Sequence, residues 1–408
     1  MYRTGKLCII TLSIFLVFAP LSLAAGDFGL LLTQIGGVGG SGNESDSDYE
    51  ISLLPRFLNL FGDSGELYIS ASLRAAYENE DWRIVPELLR TDFSWSLGNY
   101  DFRLGRMVYL DPMSLIAVGL FDGASISYHH AVHGTFGFGL WYTGLLYKNR
   151  ANISMTPGDA YDMAEELNWN NFADTYFASR RLIAALHWEH PSFMERMMLN
   201  AALLCQFDLN NRAVSYHSQY LIARAAMPFG RFIFELGGAL EYGQWIENSN
   251  TYFQLAFAAD FGVRWLPPLH FDSMLSFTGR FTSPDSGSFS AFTPVTALSF
   301  GDILRTEISG ISFFALSYIA RIHHTSSVEF SVMHFIRSDN VTYTAYPVTE
   351  PTNNRSLGTE LFGRFTWSPA SDLNLNFGAG AFLPALGNVA PDANARWRIE
   401  LSVTLGLL

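Results

Sequence analysis

From residue 252 to residue 265 the side chains change character at every step. Phe253, Leu255, Phe257, Ala259, Phe261, Val263 and Trp265 share one parity; Gln254, Ala256, Ala258, Asp260, Gly262 and Arg264 share the other. Successive side chains of a β-strand point to opposite faces, so this pattern gives one greasy face and one polar or small face. Residues 66–78 repeat it, with Leu67, Ile69, Ala71, Leu73, Ala75 and Tyr77 opposing Glu66, Ser70, Ser72 and Arg74. So do residues 357–367 and 373–381, the latter with Asn374, Asn376, Gly378 and Gly380 on the polar side. A soluble β-sandwich also alternates, but its strands average roughly 5–6 residues. These run to roughly 10–14, the length a tilted strand needs to cross hydrocarbon.

Composition narrows the choice. Only 15% of the 408 residues are charged and 49% are hydrophobic, where a soluble domain carries about 25% charged residues. Beyond the first ~25 residues there is no run of about 18 apolar residues, so no helix spans a bilayer. The hydrophobic content excludes disorder. The net charge of −13 argues against nucleic acid as a partner, because phosphates need a basic face. The fold expected is all-β: a single transmembrane antiparallel β-barrel.

The first segment has the pattern of a cleaved signal peptide over residues 1–24. Arg3 and Lys6 form a basic head, residues 7–23 are largely apolar, and Ser22 and Ala24 put small residues before the cut. Cleavage removes Cys8 and leaves Cys205 alone, so no internal disulfide holds the fold. The barrel then occupies residues 25–408.

Connector lengths give the strand count. Outer-membrane barrels have short periplasmic turns and long external loops. With the C-terminus taken as periplasmic, long connectors fall at 36–48, 109–119, 148–178, 283–305, 338–354 and 383–394. Tight or short ones fall at 61–65, 98–99, 130–134, 190–195, 228–230, 266–271, 323–326 and 368–371. With 79–85, 210–216 and 247–250 added, seventeen connectors join eighteen strands, the first over residues 28–35. Sixteen strands is the alternative, if that first strand and one in 295–322 are lost. Trp82, Trp141, Trp188, Trp245, Trp265, Trp367 and Trp397 lie near strand ends, where aromatic girdles sit. The acids Glu44, Asp46, Asp48 and Glu50, and Asp159, Asp162, Glu165, Glu166 and Asp174 of the 148–178 loop, read as solvated external charge.

Two stretches resemble a known family. Asp101-Phe102-Arg103-Leu104-Gly105-Arg106, followed by Phe121-Asp122-Gly123-Ala124, is similar to the R-x-G-R … F-D-G pair of alginate-export-type outer-membrane barrels. Gly358 and Glu360, then Trp367-Ser368-Pro369 and Phe382-Leu383-Pro384, resemble that family's C-terminal hairpin. The match covers about a fifth of the chain. It implies an eighteen-stranded barrel that passes anionic sugars or small solutes. Phe362 stands where the family pattern expects an acid two positions after the glutamate, and the lumen here is mixed in charge where the family's pore is basic.

Parity assigns each strand charge to lipid or lumen. Arg74, Arg90, Arg103, Arg181, Arg224, Arg264, Arg280, Arg364 and Arg398 point inward, as do Asp101, Glu235, Asp260, Glu329, Glu360 and Glu400 among the acids. These are the candidate pore-lining residues. Arginine keeps its charge and grips carboxylates with a two-pronged fork. The rows either brace the wall by pairing across strands or form a track for an anionic solute; both fit one pore. Arg106 has the outward parity and is expected to snorkel from a strand end.

Enzyme signatures are poor. His129, His130 and His133 do not share a face as a metal site would need, and His323 and His324 fall in a turn. His334 is outward by parity but has no evident serine partner in the sequence. The reading is a non-enzymatic, porin-like channel for small polar or anionic solutes, without cofactor or metal. Outer-membrane lipid, the solute and the barrel-assembly machinery are the partners expected. The alternatives are a transporter for hydrophobic solutes with an N-terminal plug over residues 26–47, and an adhesin displayed on a barrel.

Overall fold

The structure is a computed structural model that describes residues 26–78, 81–248, 250–269 and 271–407. The signal-peptide reading and Leu408 lie outside the described residues. Among them, no helix is long and apolar enough to cross a membrane.

Eighteen strands close into one antiparallel barrel. The first half comprises β1 (Asp27–Ser41), β2 (Glu44–Phe61), β3 (Gly65–Glu78), β4 (Asp81–Leu97), β5 (Tyr100–Leu110), β6 (Val118–His130), β7 (Gly134–Tyr142), β8 (Arg181–Phe193) and β9 (Met197–Asp208). The second comprises β10 (Val214–Phe229), β11 (Phe232–Glu247), β12 (Asn250–Trp265), β13 (Ser273–Thr282), β16 (Ile311–His323), β17 (Ser326–Arg337), β18 (Ser356–Ala370), β19 (Leu373–Leu383) and β20 (Arg396–Gly406). The loop between β13 and β16 carries its own two-residue ladder, β14 (Ser299–Phe300) with β15 (Thr306–Glu307). Each barrel strand pairs with the next. The register Leu31↔Gly406 to Ser41↔Arg396 joins β1 to β20 and closes the ring, so no sheet edge is left open.

The expected eighteen strands are therefore present, including those first and late strands that the sequence left weakest. The alternation of connectors also holds: residues 98–99 and 371–372 turn tightly at one end, and residues 143–180, 283–310 and 338–355 form long loops at the other. Two boundaries are different. Residues 81–85, expected in a connector, pair with β3 as the start of β4. The second lies at the first connector. Residues 36–48 are not a loop. The β1–β2 ladder continues to Ser41↔Glu44, leaving a turn of two residues. The glycines there were read as loop signals, but in a barrel their backbone groups are paired on both sides, with β2 and with β20. Residues 27–41 thus belong to the wall, and the plug reading is overturned.

The barrel is apolar on the outside. Leu104, Leu221, Leu236, Phe330 and Leu361 are exposed on its outer face. On β12 the odd residues Phe253, Leu255, Ala259 and Phe261 are exposed, and the even residues Ala256, Ala258, Asp260 and Gly262 are buried toward the axis. Aromatic pairs ring the turn end: Tyr100 on Tyr128 (5.0 Å between centroids), Phe136 on Trp188 (6.3 Å) and Phe232 on Trp265 (6.3 Å). Tyr49 on Trp82 (6.1 Å) and Tyr242 on Phe253 (5.7 Å) mark the loop end. Trp141 and Trp245 correct the girdle reading. Both point inward, Trp141 buried against Tyr109 at 4.2 Å and Trp245 against Tyr216 at 5.7 Å.

Candidate functional site

The interior of the barrel is built by its loops. Residues 111–117 turn inward behind β5, and Met113, Leu115, Ile116 and Ala117 are buried among Phe121, Phe292 and Val295. The Asp111 carboxylate organises that turn, accepting the amides of Met113 (2.9 Å), Leu115 (3.0 Å), Ile116 (2.7 Å) and Ala117 (3.0 Å). Burial pushes the Asp111 carboxyl up, and these four amides pull it back toward the charged form. Three loops then meet near the axis. Thr296 N donates to Ile116 O (3.0 Å), Ala297 N donates to Asn152 O (2.8 Å), and the Asn152 side chain donates to Ala297 O.

Wall carboxylates hold this junction. Glu360 is 2% exposed, and accepts the amides of Asp302 (2.6 Å), Ile303 (3.0 Å) and Leu304 (2.9 Å). Glu241 accepts the Thr293 amide (2.8 Å) and the Tyr216 hydroxyl (2.6 Å). Arg280 pairs with Asp260 (3.0 Å) and donates to Met113 O (3.4 Å). Arg181 is fully buried. It pairs with Asp208 (2.5 Å) and with Asp159 of the helix Pro157–Ala164, and donates to Tyr216 O (3.2 Å). Parity pointed Arg181, Glu360, Asp260 and Arg280 inward, and inward they are, but Arg181 and Glu360 are covered by loop and do not face open lumen. Three of the acids read as external are corrected likewise, while Glu44, Asp46, Glu165, Glu166 and Asp174 are exposed. Asp159 is buried against Arg181; Asp48 pairs with Arg398 (2.9 Å) and Glu50 with Arg74 (3.3 Å) inside the barrel. A parity rule sees the strand alone and cannot see a loop that folds over it.

The remaining candidates keep part of their surface in the lumen, and their pairing is uneven around the ring. Arg90 (2.6 Å) and Arg103 share Asp92, while Arg224 (3.3 Å) and Arg264 (2.9 Å) share Glu235. Two cations serve each acid on those arcs. Near β17 to β20 the ratio reverses: Arg364 faces Asp302 (2.9 Å), Glu400 (3.5 Å) and Glu329 (3.8 Å), and Arg398 faces Asp48 and Glu400 (3.5 Å). Asp101 lies at the turn end, bound to Ser96 (2.6 Å) and to His129 Nε2 (2.6 Å).

Two cavities flank the loop junction. One of about 480 Å³, on the turn side, is lined by Arg103, Ser125, His187, Glu189, Asn200 and Arg224, with Asp111 and Ser114 of the inward turn. The other, of about 540 Å³, lies toward the loop end and is lined by Ser154, Met155, Thr293, Arg305, Tyr343 and Arg396 among others. Arg305 and Arg396 were missed by parity because one is in a loop and the other at a strand start.

The family-like motif is structural. Arg106 forms a two-pronged pair with Asp122 (2.9 and 2.8 Å) and donates to Leu88 O and to Leu145 O (3.0 Å). It does not snorkel. The β4–β5 ladder stops at Phe93↔Leu104, and Arg106 supplies a donor to the Leu88 carbonyl beside the break and another to Leu145 O of the 143–180 loop. Gly105 has φ +110°, and a Cβ there would lie 1.8 Å from Thr91 O. Gly123 abuts Leu140 O, and Gly358 abuts Leu383 O, in the same side-chain-free way. Phe362, in place of the expected acid, packs into the loop-filled interior.

His334 does have a serine partner, which the sequence concealed: Ser356 Oγ is 3.0 Å from Nε2, and Thr359 Oγ1 is 2.9 Å from Nδ1. Both ring nitrogens are thereby satisfied on an apolar face. Of the other histidines singled out, His130 stacks on His133 (4.5 Å) and His323 lies against His324 (3.9 Å) at the turn end, with His130 half-buried and the other three exposed.

The chain matches no family model and no curated protein. Solved structures do resemble it. The crystal structure of Pseudomonas aeruginosa OccK2 (OpdF) superposes with a TM-score of 0.61 at 13% identity, covering 95% of this chain and 99% of that one; OccK2 is also solved in complex with glucuronate. A BenF-like porin from Pseudomonas fluorescens Pf-5 gives 0.61 at 10% identity, over 94% of this chain and 100% of that one. The outer membrane protein opdK of Pseudomonas aeruginosa gives 0.57 at 11%, over 93% and 99%. The chain has the barrel fold of these outer-membrane porins.

Proposed function

We propose that this protein is an outer-membrane channel for small polar or anionic solutes, narrowed by its own inward loops. The observation that carries this reading is the pair of cavities on either side of the junction of residues 111–117, 152 and 293–297, each bordered by arginines. A loop-narrowed lumen selects by contact, and rows of opposite charge across it set up a transverse field. The apolar outer face calls for a hydrocarbon surround, since an unpaired charge there costs about 2–4 kcal/mol at mid-bilayer. Export through residues 1–24, insertion by the barrel-assembly machinery and external placement of the long loops complete the proposal.

The reversal potential in a salt gradient across a planar bilayer tests it. Discrete conductance steps with a preference for anions are expected. A purified, folded barrel that never conducts would overturn the channel reading and leave display of the loops, as in an adhesin, as the function.

A further inference from the structure

We propose that His334, Ser356 and Thr359 form a hydrolytic site on the outer face of the barrel, directed at the acyl ester bonds of membrane lipid. The site lies across the wall from the lumen, and so goes beyond the channel reading.

An ionisable side chain that faces lipid is costly and is by default a candidate for function. His334 pairs with Phe314 of β16 on one side and with Thr359 of β18 on the other. Phe314, Val332 and Leu361 around it are exposed on the outer face. Ser356 joins it through a bulge. The β17–β18 register passes from Phe335↔Gly358 to Ile336↔Ser356, so Leu357 is the extra residue. Leu357 is fully buried. Ser356, which would otherwise share the inward parity of Glu360, comes out on the face of His334. Bulges re-aim side chains in this way and are frequent beside active sites.

The three side chains have the order that nucleophilic catalysis requires. Ser356 Oγ lies 3.0 Å from His334 Nε2, and Thr359 Oγ1 lies 2.9 Å from Nδ1. With the serine hydroxyl donating to Nε2, the ring proton sits on Nδ1 and is donated to Thr359, which fixes the tautomer and the tilt of the ring. Asn388 Oδ1 accepts the Ser356 amide (3.0 Å), and the NH2 of the same side chain, without an acceptor among the described residues, is the donor at hand for an oxyanion. Ser356 also opens β18, next to the exposed Asn354 and Arg355. Water thus reaches it from the loops, while an acyl chain approaches over Phe314 and Leu361. In the reaction Ser356 Oγ bonds to the ester carbonyl carbon as its proton passes to Nε2. The ester C–O bond then breaks, and the alcohol leaves with that proton. Water adds to the acyl-serine in the same way, the fatty acid departs, and Ser356 regains its hydrogen. Water is the only co-reactant the balance needs.

The test uses the full barrel reconstituted in vesicles of phosphatidylethanolamine and phosphatidylglycerol. The readouts are fatty acid release and labelling by a fluorophosphonate, mapped by mass spectrometry. Wild type should release fatty acid and carry the label on Ser356. Ser356→Ala should lose both, while its conductance in planar bilayers stays that of the wild type. His334→Gln should slow release about a hundredfold or more, the scale of a lost general base. Thr359→Val should lower kcat about tenfold with KM unchanged, a part of the same effect, and Thr359→Ser should restore it, as expected of a positioning residue. Heat-modifiable migration checks that each variant is folded. Equal release by wild type and Ser356→Ala, or a folded wild type that takes no label on Ser356, would overturn the site and leave His334 as a polar brace at the bulge. Cleavage of p-nitrophenyl butyrate but of no vesicle phospholipid would overturn the assignment to lipid.

Discussion

Glu360 Oε1 accepts the amide of Asp302 at 2.6 Å, and its other oxygen accepts the next two amides along the chain. A wall carboxylate is thus the anchor of the 283–310 loop and not a charge offered to solute. Glu360→Gln keeps one acceptor oxygen and puts an amide NH2, a donor, where the other stood. Each buried amide left without an acceptor costs about 1–3 kcal/mol. Noisier, larger open currents are expected in single-channel records, with the reversal potential in a salt gradient unchanged. A shift in selectivity without a change in noise would show that Glu360 faces the permeating ion after all.

Arg181 and Arg103 have the same parity but different surroundings. Arg181 is enclosed by Asp159 and Asp208, and Arg103 keeps 38% of its side chain exposed beside Asp92. Removing one partner of a buried ion pair costs about 3–5 kcal/mol because the other charges stay buried. Arg181→Ala should lower the temperature at which the barrel loses its compact migration on gels and make the 143–180 loop cleavable by added protease. Arg103→Ala should do neither, and should lower the anion-to-cation permeability ratio, as should Arg224→Ala. Equal effects of Arg181→Ala and Arg103→Ala on stability would contradict this division.

Asp339 joins two loops. It accepts the amides of Val341 and Thr342 (both 2.7 Å), the Thr342 hydroxyl (2.8 Å) and, across the gap, the amide of Asp285 (2.7 Å). Burial alone would raise its pKa, but these hydrogen bonds outweigh it and hold the carboxyl below its usual 3.8. A depressed folded-state pKa stabilises the fold above the unfolded value, and that contribution is lost as pH falls through the lower, folded one. Amide exchange in residues 338–342 should therefore stay slow from neutral pH down past 4 and quicken only in stronger acid. Asp339→Asn should exchange fast throughout. Quickening of the wild type near pH 5 would refute the assignment.

The two ends of the barrel differ in access. An epitope inserted at the exposed residues 168–171, in the 143–180 loop, should be labelled on intact cells. One placed beside Pro369, next to the 371–372 turn, should be labelled only after the cells are opened. The reverse pattern would invert the barrel.

Period 2 over long segments, with few charges and no spanning helix, was enough to specify the strands and most of their inside and outside faces, and connector lengths gave their number. A side chain's face depends only on its position along the strand, and a bilayer punishes every error of parity. That is why Phe253 and Phe261 could be assigned to the greasy face, and Arg364 and Glu329 inward, from the chain alone. Close partners such as Arg364 with Glu329 (3.8 Å) also follow, because neighbours in register share a face.

What occupies the lumen was decided by the tertiary structure. Asp111 binds four amides of its own loop, Glu241 reaches Thr293 from another strand's loop, and Arg181 meets Asp159 on a helix 22 residues earlier in the chain. Nothing periodic marks such contacts, since they depend on where irregular segments come to rest inside a closed wall. Ser356 reaches His334 across a shift in the β17–β18 register, which no count of parity could anticipate. Trp141 and Trp245 lie near strand ends like the girdle tryptophans, yet they face the axis. Residues 36–41 looked like a loop because glycine is usually a breaker, but a ring closed on itself gives those amides partners on both sides. The chain's local alternation built the wall; only its closure brought the loops inward to divide the lumen.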